Sequence, residues 1–170
     1  MNERGAYPGG RMIEAVLFES RRAMPGQDER AATVLVVEDD DETRDYIAQA
    51  LESDGGAYAV TAADSVAPAL RALRYEPPDV LLVDIGLPDG SGLELIRCAR
   101  ESSNDIAVLV ISVFGDESSV FAAIEAGAQG YLLKSEAPKD LRISVQQVLD
   151  GGAPISPGIA SHLLRRFSGK

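Results

Sequence analysis

The chain has 170 residues, of which 45% are hydrophobic and 25% are charged, which fits one globular domain with appended segments. Its net charge is −11, and residues 33–138 alone contain 6 basic and 20 acidic side chains. An acidic domain of this kind repels phosphate backbones, so we expect no nucleic-acid binding by this chain alone. No apolar run approaches the ~20 residues of a membrane span, so we expect no membrane partner.

Cysteine and histidine are scarce, which limits the chemistry that the chain can perform. It has one cysteine, Cys98, and one histidine, His162. A lone thiol cannot form an internal disulfide, and this pair is too small a set for a zinc site. The first residues lead into no signal-peptide core. Together these features favour a cytoplasmic protein.

The N-terminal segment differs from the rest of the chain in composition. Residues 1–32 contain six glycines and prolines, and we expect a mostly flexible extension there. From Thr33 onwards, short apolar runs rich in valine, leucine and isoleucine predict strands that are buried on both faces. These runs cover residues 33–38, 57–61, 79–84, 106–112 and 129–133.

Apolar residues at helical spacing fill the intervals between these strands. Asp64 and Ser91 are expected to cap two of the helices, and Asp89 is expected to be a turn residue. Five strand–helix units predict an α/β domain over residues 33–150, a flavodoxin-like (βα)5 three-layer sandwich with parallel strand order 2-1-3-4-5. The predicted helices cover residues 42–53, 65–74, 91–101, 117–126 and 138–149.

Residues 151–170 follow as a linker that contains a short extra helix. Ser156 and Pro157 suit the start of a helix. An apolar stripe comes next. It could pack against the domain or form an interface with another domain, and the sequence supports these two roles about equally. The stripe consists of Ile159, Leu163, Leu164 and Phe167.

Charged residues stand where three of the predicted strands end. Glu38 and Asp39 follow the first strand, Asp84 follows the third, and Lys134 follows the fifth. In a parallel sheet of this order, ligands bind beyond the carboxyl ends of the first and third strands. We therefore expect the three acids to share one crevice, with Lys134 beside it.

The acidic cluster predicts a magnesium site, because neighbouring carboxylates repel one another unless a cation lies between them. Oxygen ligands suit Mg²⁺, which commonly takes one or two carboxylates and keeps several waters. We expect Asp39 and Asp84 to be direct ligands, with Glu38 acting through water. The backbone carbonyl of Gly86 is a further expected ligand. A purely structural alternative is that Asp39 or Asp40 caps the next helix.

A carboxylate beside a cation and a lysine is also suited to phosphoryl transfer. Asp84 would be the nucleophile, while Mg²⁺ and Lys134 neutralise the phosphoryl oxygens. Ser112, at the end of the fourth strand, would add a hydroxyl group to the site. It could alternatively satisfy a backbone group.

These residues, in this order, resemble the receiver domain of bacterial response regulators, a CheY-like family. In this family an acidic pair follows strand one and the phosphoacceptor Asp follows strand three. A Ser or Thr follows strand four, and a Lys follows strand five. Here Ser112 and Lys134 follow Asp84 by 28 and 50 residues. Residues 84–92 and 126–134 are typical of the NarL/LuxR-type branch. The tail resembles the linker that precedes a helix-turn-helix in that branch, and no such domain follows within these 170 residues.

The resemblance implies a role in two-component signal transduction rather than an enzyme. A histidine kinase or phosphotransfer protein would supply the phosphoryl group to Asp84 with Mg²⁺ bound. The acyl phosphate would draw Ser112 towards it, and Tyr131 would rotate into the vacated space. The switched state would control a partner or a downstream output such as transcription. Whether the protein forms a homodimer is left open.

Four residues depart from the family pattern, and one of them, Val113, is larger than the small residue that often follows the Ser or Thr. Gly86 and Phe114 stand where the family positions or excludes the attacking water, which predicts slow self-dephosphorylation. Ser135 replaces the proline that often follows the lysine, so the isomer of the Lys134–Ser135 peptide is left open.

Two other functions compete with this interpretation. One is a pseudo-receiver, a phosphorylation-independent protein-interaction module whose acidic site is unused. The other is a phosphohydrolase with an aspartyl nucleophile. That enzyme needs an acid two residues after the nucleophile, and Gly86 stands there.

Overall fold

A parallel sheet of five strands forms the centre of the computed structural model, which describes residues 30–53, 57–102, 105–137 and 141–168. The order β2-β1-β3-β4-β5 confirms the predicted 2-1-3-4-5 topology. All residues of β3 and β4 are buried, as their continuous apolar runs predict. The strands of this sheet are β1 (Ala32–Val37), β2 (Tyr58–Ala63), β3 (Val80–Val83), β4 (Ala107–Ser112) and β5 (Gly130–Leu133), and a separate two-stranded antiparallel pair is formed by Gly86–Leu87 and Gly90–Ser91.

Helices cover both faces of the sheet, which confirms the three-layer sandwich. Two separate apolar cores result: α1 and α5 pack on one face, and α2, α3 and α4 pack on the other. The helices are α1 (Asp41–Glu52), α2 (Val66–Tyr75), α3 (Gly92–Ser102), α4 (Glu117–Ala126), α5 (Leu141–Leu149) and α6 (Pro157–Phe167). None of the helices in the described ranges is long and apolar enough to cross a membrane.

Helix caps were predicted correctly in part. Asp40 caps α1 by accepting a hydrogen bond from Thr43 N at 2.8 Å, which leaves Asp39 free of that role. The prediction for α2 was wrong, because Ser65 rather than Asp64 is the N-cap residue and its side chain makes no capping bond. Asp89 caps α2 instead, because its two carboxylate oxygens accept hydrogen bonds from the first two N–H groups of the helix, at 2.7 and 3.0 Å.

The C-terminal tail packs on the domain. Residues 31–170 form one compact unit, and α6 begins after Ser156 with proline at its first position, as predicted. Ile159 is fully buried, whereas Leu164 is 68% exposed. Residues 1–29 of the predicted extension (1–32) and the predicted helical residues 138–140 lie outside the described residues, whereas Ala32, the last residue of that extension, already belongs to β1.

Candidate functional site

Three carboxylates meet at one edge of the sheet. Glu38 and Asp39 directly follow β1, and Asp84 directly follows β3. Because β1 and β3 are neighbouring parallel strands, with Val37 paired to Val83, the three side chains come together. One oxygen from each lies within 4.8 Å of the others. Glu38 and Asp84 are buried, while Asp39 is exposed to solvent.

A lysine ammonium bridges the two buried acids. Lys134 Nζ lies 2.6 Å from Glu38 Oε2 and 2.6 Å from Asp84 Oδ2. Burial by itself lowers the pKa of Lys134, but the bonds and charges of Asp84 and Glu38 outweigh it, so the pKa is raised. The lysine therefore keeps its positive charge at the centre of the site.

Glu38 is held in an unfavourable environment for a charged group. Burial raises its pKa, and the contacts with Lys134 and the backbone of Asp40 only partly oppose this shift. Its Oε1 accepts from Asp40 N at 3.3 Å. Among the described residues, no hydrogen bond of suitable geometry reaches the buried Oε2, although Lys134 is close.

This donor set fits a divalent cation. Three carboxylates lie together with a single ammonium, which contacts Glu38 and Asp84, so the cluster retains excess negative charge. Asp39 reaches solvent, which leaves an open side for waters of a hydrated ion. Oxygen ligands of this kind, with room for water, are those that Mg²⁺ prefers.

Asp84 is surrounded by hydrogen-bond donors from three different segments. Ser112 Oγ, at the end of β4, donates to Asp84 Oδ1 at 2.6 Å. Gly86 N donates to the same oxygen at 3.2 Å, and Lys134 holds Oδ2. Ser112 thus contacts the acid itself as well as Phe114 N, at 3.4 Å. Donors aimed at both carboxylate oxygens can also bind the oxygens of a group attached there.

Tyr131 lies beneath this site with its ring buried. It is 1% exposed, and its hydroxyl donates to the Phe114 carbonyl oxygen at 2.5 Å. Burial, followed by the charges of Asp116 and Asp84, raises the pKa of Tyr131 to about 12, so the phenol remains a donor. In this structure, therefore, Ser112 contacts Asp84 while the Tyr131 ring is buried.

Arg44 is a site residue that the sequence analysis missed. Its guanidinium, on α1, donates to the Glu38 carbonyl oxygen at 3.0 Å and pairs with Asp41. It thereby ties the acidic segment after β1 to the helix that follows. The signal in the sequence was one arginine within a run of acids. The isomer of the Lys134–Ser135 peptide, left open by the sequence, is trans.

Comparisons with known proteins point to one family. The family model of the response regulator receiver domain matches residues 34–146. The KDP operon transcriptional regulatory protein KdpE of Escherichia coli K12 is 37% identical over 118 residues, covering 67% of this chain and 51% of that protein. The response regulator GacA of Pseudomonas aeruginosa PAO1 is 35% identical over 130 residues, covering 76% of this chain and 61% of that protein.

A solved structure has a similar fold. The crystal structure of a LuxR-family two-component response regulator from Aurantimonas sp. SI85-9A1 superposes with a TM-score of 0.74 at 29% identity. The match covers 82% of this chain and 99% of that one. By contrast, this chain spans between half and about three fifths of the length of the two curated relatives.

Proposed function

Because the chain belongs to the response-regulator receiver family of two-component signalling, we propose that Asp84 is its phosphoacceptor. The donor would be the phosphohistidine of a histidine kinase or of a phosphotransfer protein. The observation that carries this proposal is the set of donors on one carboxylate: Ser112 and Gly86 N on Oδ1, and Lys134 on Oδ2. We place the protein in the cytoplasm, where such donors act.

In the proposed transfer, a carboxylate oxygen of Asp84 attacks the phosphorus atom in line with the leaving imidazole. The new O–P bond forms as the P–N bond breaks, and the imidazole nitrogen keeps the electron pair. Lys134 and Ser112 then face the oxygens of the transferred group, where charge builds up. The buried position of Asp84, at 3% exposure, limits competition from water.

Magnesium would be held by Asp39, Asp84 and the Gly86 carbonyl, with Glu38 acting through water. When bound, the cation supplies positive charge that offsets the phosphoryl oxygens. Glu38 and Lys134 order the inner side of the pocket, because their ion pair is buried against the end of β1. The exposed side chain of Asp39 leaves the outer side open to the incoming donor.

Phosphorylation is proposed to favour one of two conformations. Ser112 would bind the phosphoryl oxygens, and Tyr131 would stay buried beneath it through its bond to the Phe114 carbonyl. The charge added at Asp84 biases this arrangement over one in which Ser112 and Tyr131 have moved away. The favoured state would control a partner, a homodimer or a downstream output domain.

Incubation with Mg²⁺ and acetyl phosphate tests the proposal. We expect a stable mass increase of ~80 Da on the intact protein, the mass of one added phosphoryl group. The Asp84→Asn variant should lack it, and Asp64→Asn, which changes an exposed acid outside the cluster, should keep it. No adduct and no turnover would favour a phosphorylation-independent module, and continuous phosphate release would favour a phosphohydrolase.

A further inference from the structure

The C-terminal tail adds a short parallel segment to the open edge of β5. Tyr131 N donates to the Pro154 carbonyl at 2.9 Å, and Ser156 N donates to the Tyr131 carbonyl at 3.0 Å. Ile155 therefore pairs with Tyr131 as an isolated parallel bridge. The residue whose ring lies under the Asp84 site is thus the one whose backbone binds the tail.

A second contact joins the tail to the segment that carries the site lysine. Helix α6 receives no capping bond from the side chain of Ser156, its own N-cap residue. Instead, Glu136 Oε2 accepts from Gly158 N at 3.1 Å, and Ser156 Oγ accepts from Leu133 N at 3.0 Å. A carboxylate at a helix N-terminus is stabilising. This one stands two residues after Lys134.

Helix α6 is also anchored along its length. Ile159 is fully buried in the same apolar cluster as Tyr131. At the other end of the helix, the Arg166 guanidinium lies 4.8 Å from the centre of the Phe121 ring and 3.5 Å from Glu117. The tail therefore covers the side of the domain formed by β5 and α4.

Two short routes connect this docked tail to Asp84. One runs from Asp84 through Ser112 and the Phe114 backbone to the hydroxyl of Tyr131. The other runs from Asp84 through Lys134 to Glu136, along the 3₁₀ turn Lys134–Glu136. Tyr131 takes part in both places, with its hydroxyl bound near the site and its backbone bound to residues 154–156.

We propose that residues 154–167 form an intramolecular latch, docked when Tyr131 is buried and Asp84 is occupied, and loosened when Tyr131 leaves the core. The inference rests on the proposed phosphoacceptor role of Asp84. The docked tail covers the edge beside Tyr131 and holds the ring in place, so the tail and the occupied site stabilise the same conformation. Such coupling is reciprocal: if occupancy of Asp84 tightens the latch, an intact latch raises the affinity of the site equally.

Hydrogen exchange of the full chain, with Mg²⁺ and with or without beryllofluoride as a phosphoryl mimic, tests the first half of this statement. We expect the amides of residues 156–164 to exchange several-fold more slowly when beryllofluoride is bound. Unchanged exchange in the tail, together with slower exchange around Ser112, would overturn the latch and leave the phosphoacceptor role intact. No response around Ser112 would overturn both.

The reciprocal half is tested by the beryllofluoride affinity of variants. Glu136→Ala removes the carboxylate that caps α6 and should weaken binding by roughly threefold to tenfold, as expected for a lost cap. Glu125→Ala removes an exposed acid of α4 and serves as the matched control. Arg166→Ala loosens the far end of the latch, well away from Lys134, and should weaken binding in the same direction. Wild-type affinity in both latch variants would overturn the proposal.

Discussion

The phenyl ring of Phe114 fills the space beside Gly86 that a side chain at residue 86 would occupy. A Cβ at that position would lie 2.7 Å from Phe114 Cε2. The two departures from the family pattern therefore meet at one place, next to Asp84, whose Oδ1 accepts from Gly86 N. Neither residue offers a polar side chain to orient a water molecule, which supports the hypothesis of slow self-dephosphorylation.

The first prediction concerns the lifetime of the acyl phosphate. We expect it to last minutes or longer in the wild-type protein, and Phe114→Ala to shorten it several-fold by opening the approach to Asp84. Val113→Ala, which truncates the neighbouring exposed residue, is the control. Loss of the added mass over time measures the rate, and a wild-type half-life of seconds would contradict the hypothesis.

The second prediction concerns the packing of the same pair. Gly86→Ala should destabilise the protein by about 1 kcal/mol, the low end for overpacking, because the clashing atom is the tip of a ring that is 45% exposed. In the Phe114→Ala background the added methyl group has room, so most of that loss should disappear. Denaturant unfolding of the two single variants and the double variant gives the coupling energy. If the effects of the two substitutions on stability were additive, the Phe114 ring would be free to move away from the added methyl group.

The third prediction concerns the hydroxyl group on Asp84. Ser112→Ala removes a buried bond to a carboxylate and should cost about 1.5–3 kcal/mol of stability. It should also slow phosphorylation by acetyl phosphate by roughly tenfold or more, because a donor to the developing charge is lost. Ser144→Ala, at a buried serine of α5, should leave the rate unchanged. Equal rates in the two variants would contradict a role for Ser112.

The fourth prediction concerns the ion pairs of Lys134. Lys134→Met leaves Glu38 and Asp84 without their counter-charge. The cost in stability should approach the about 3–5 kcal/mol typical of a broken buried pair, reduced by the 20% exposure of the lysine side chain. Added Mg²⁺ should restore part of the loss, and chelation should remove it again, as thermal unfolding would show. Arg97→Met, at an exposed helix position, should show neither effect.

The fifth prediction concerns the acid cap of α4. Hydrogen bonds from the Ser118 hydroxyl, the Ser119 amide and the Ser119 hydroxyl lower the pKa of Asp116 to about 2 from the usual 3.8. Because the folded state favours the carboxylate, this stabilisation is complete above the usual value and disappears as the pH falls towards 2. Asp116→Ala should melt a few degrees lower at neutral pH, and the difference should narrow below pH 4. A difference that stays constant would contradict this cap.

Much of the site follows from local patterns in the sequence. Apolar runs gave the strands, and the acids and the lysine stood at their ends, so the parallel topology alone brought Glu38, Asp39 and Asp84 together. The contact of Ser112 with Asp84 agrees with its expected place at the end of β4. These predictions needed only the pattern of apolar residues along the chain and the rule that ligands bind at the carboxyl ends of parallel strands.

Contacts between distant segments were beyond such patterns. Asp89 looked like a turn residue, yet it caps α2 from 23 residues away. Glu136 gave no sign that it would cap α6. Gly86 and Phe114 each looked like an isolated departure, and nothing in their spacing showed that the ring would occupy the place of the missing side chain.

The amino-acid order by itself therefore determined the layers, the strand order and the charged groups at the strand ends, because burial periodicity is local. Only the tertiary structure decided which side chains touch across loops, and how the tail binds β5. Those contacts depend on how whole elements dock, and the same residue can cap, pack or face solvent according to what the docking brings beside it.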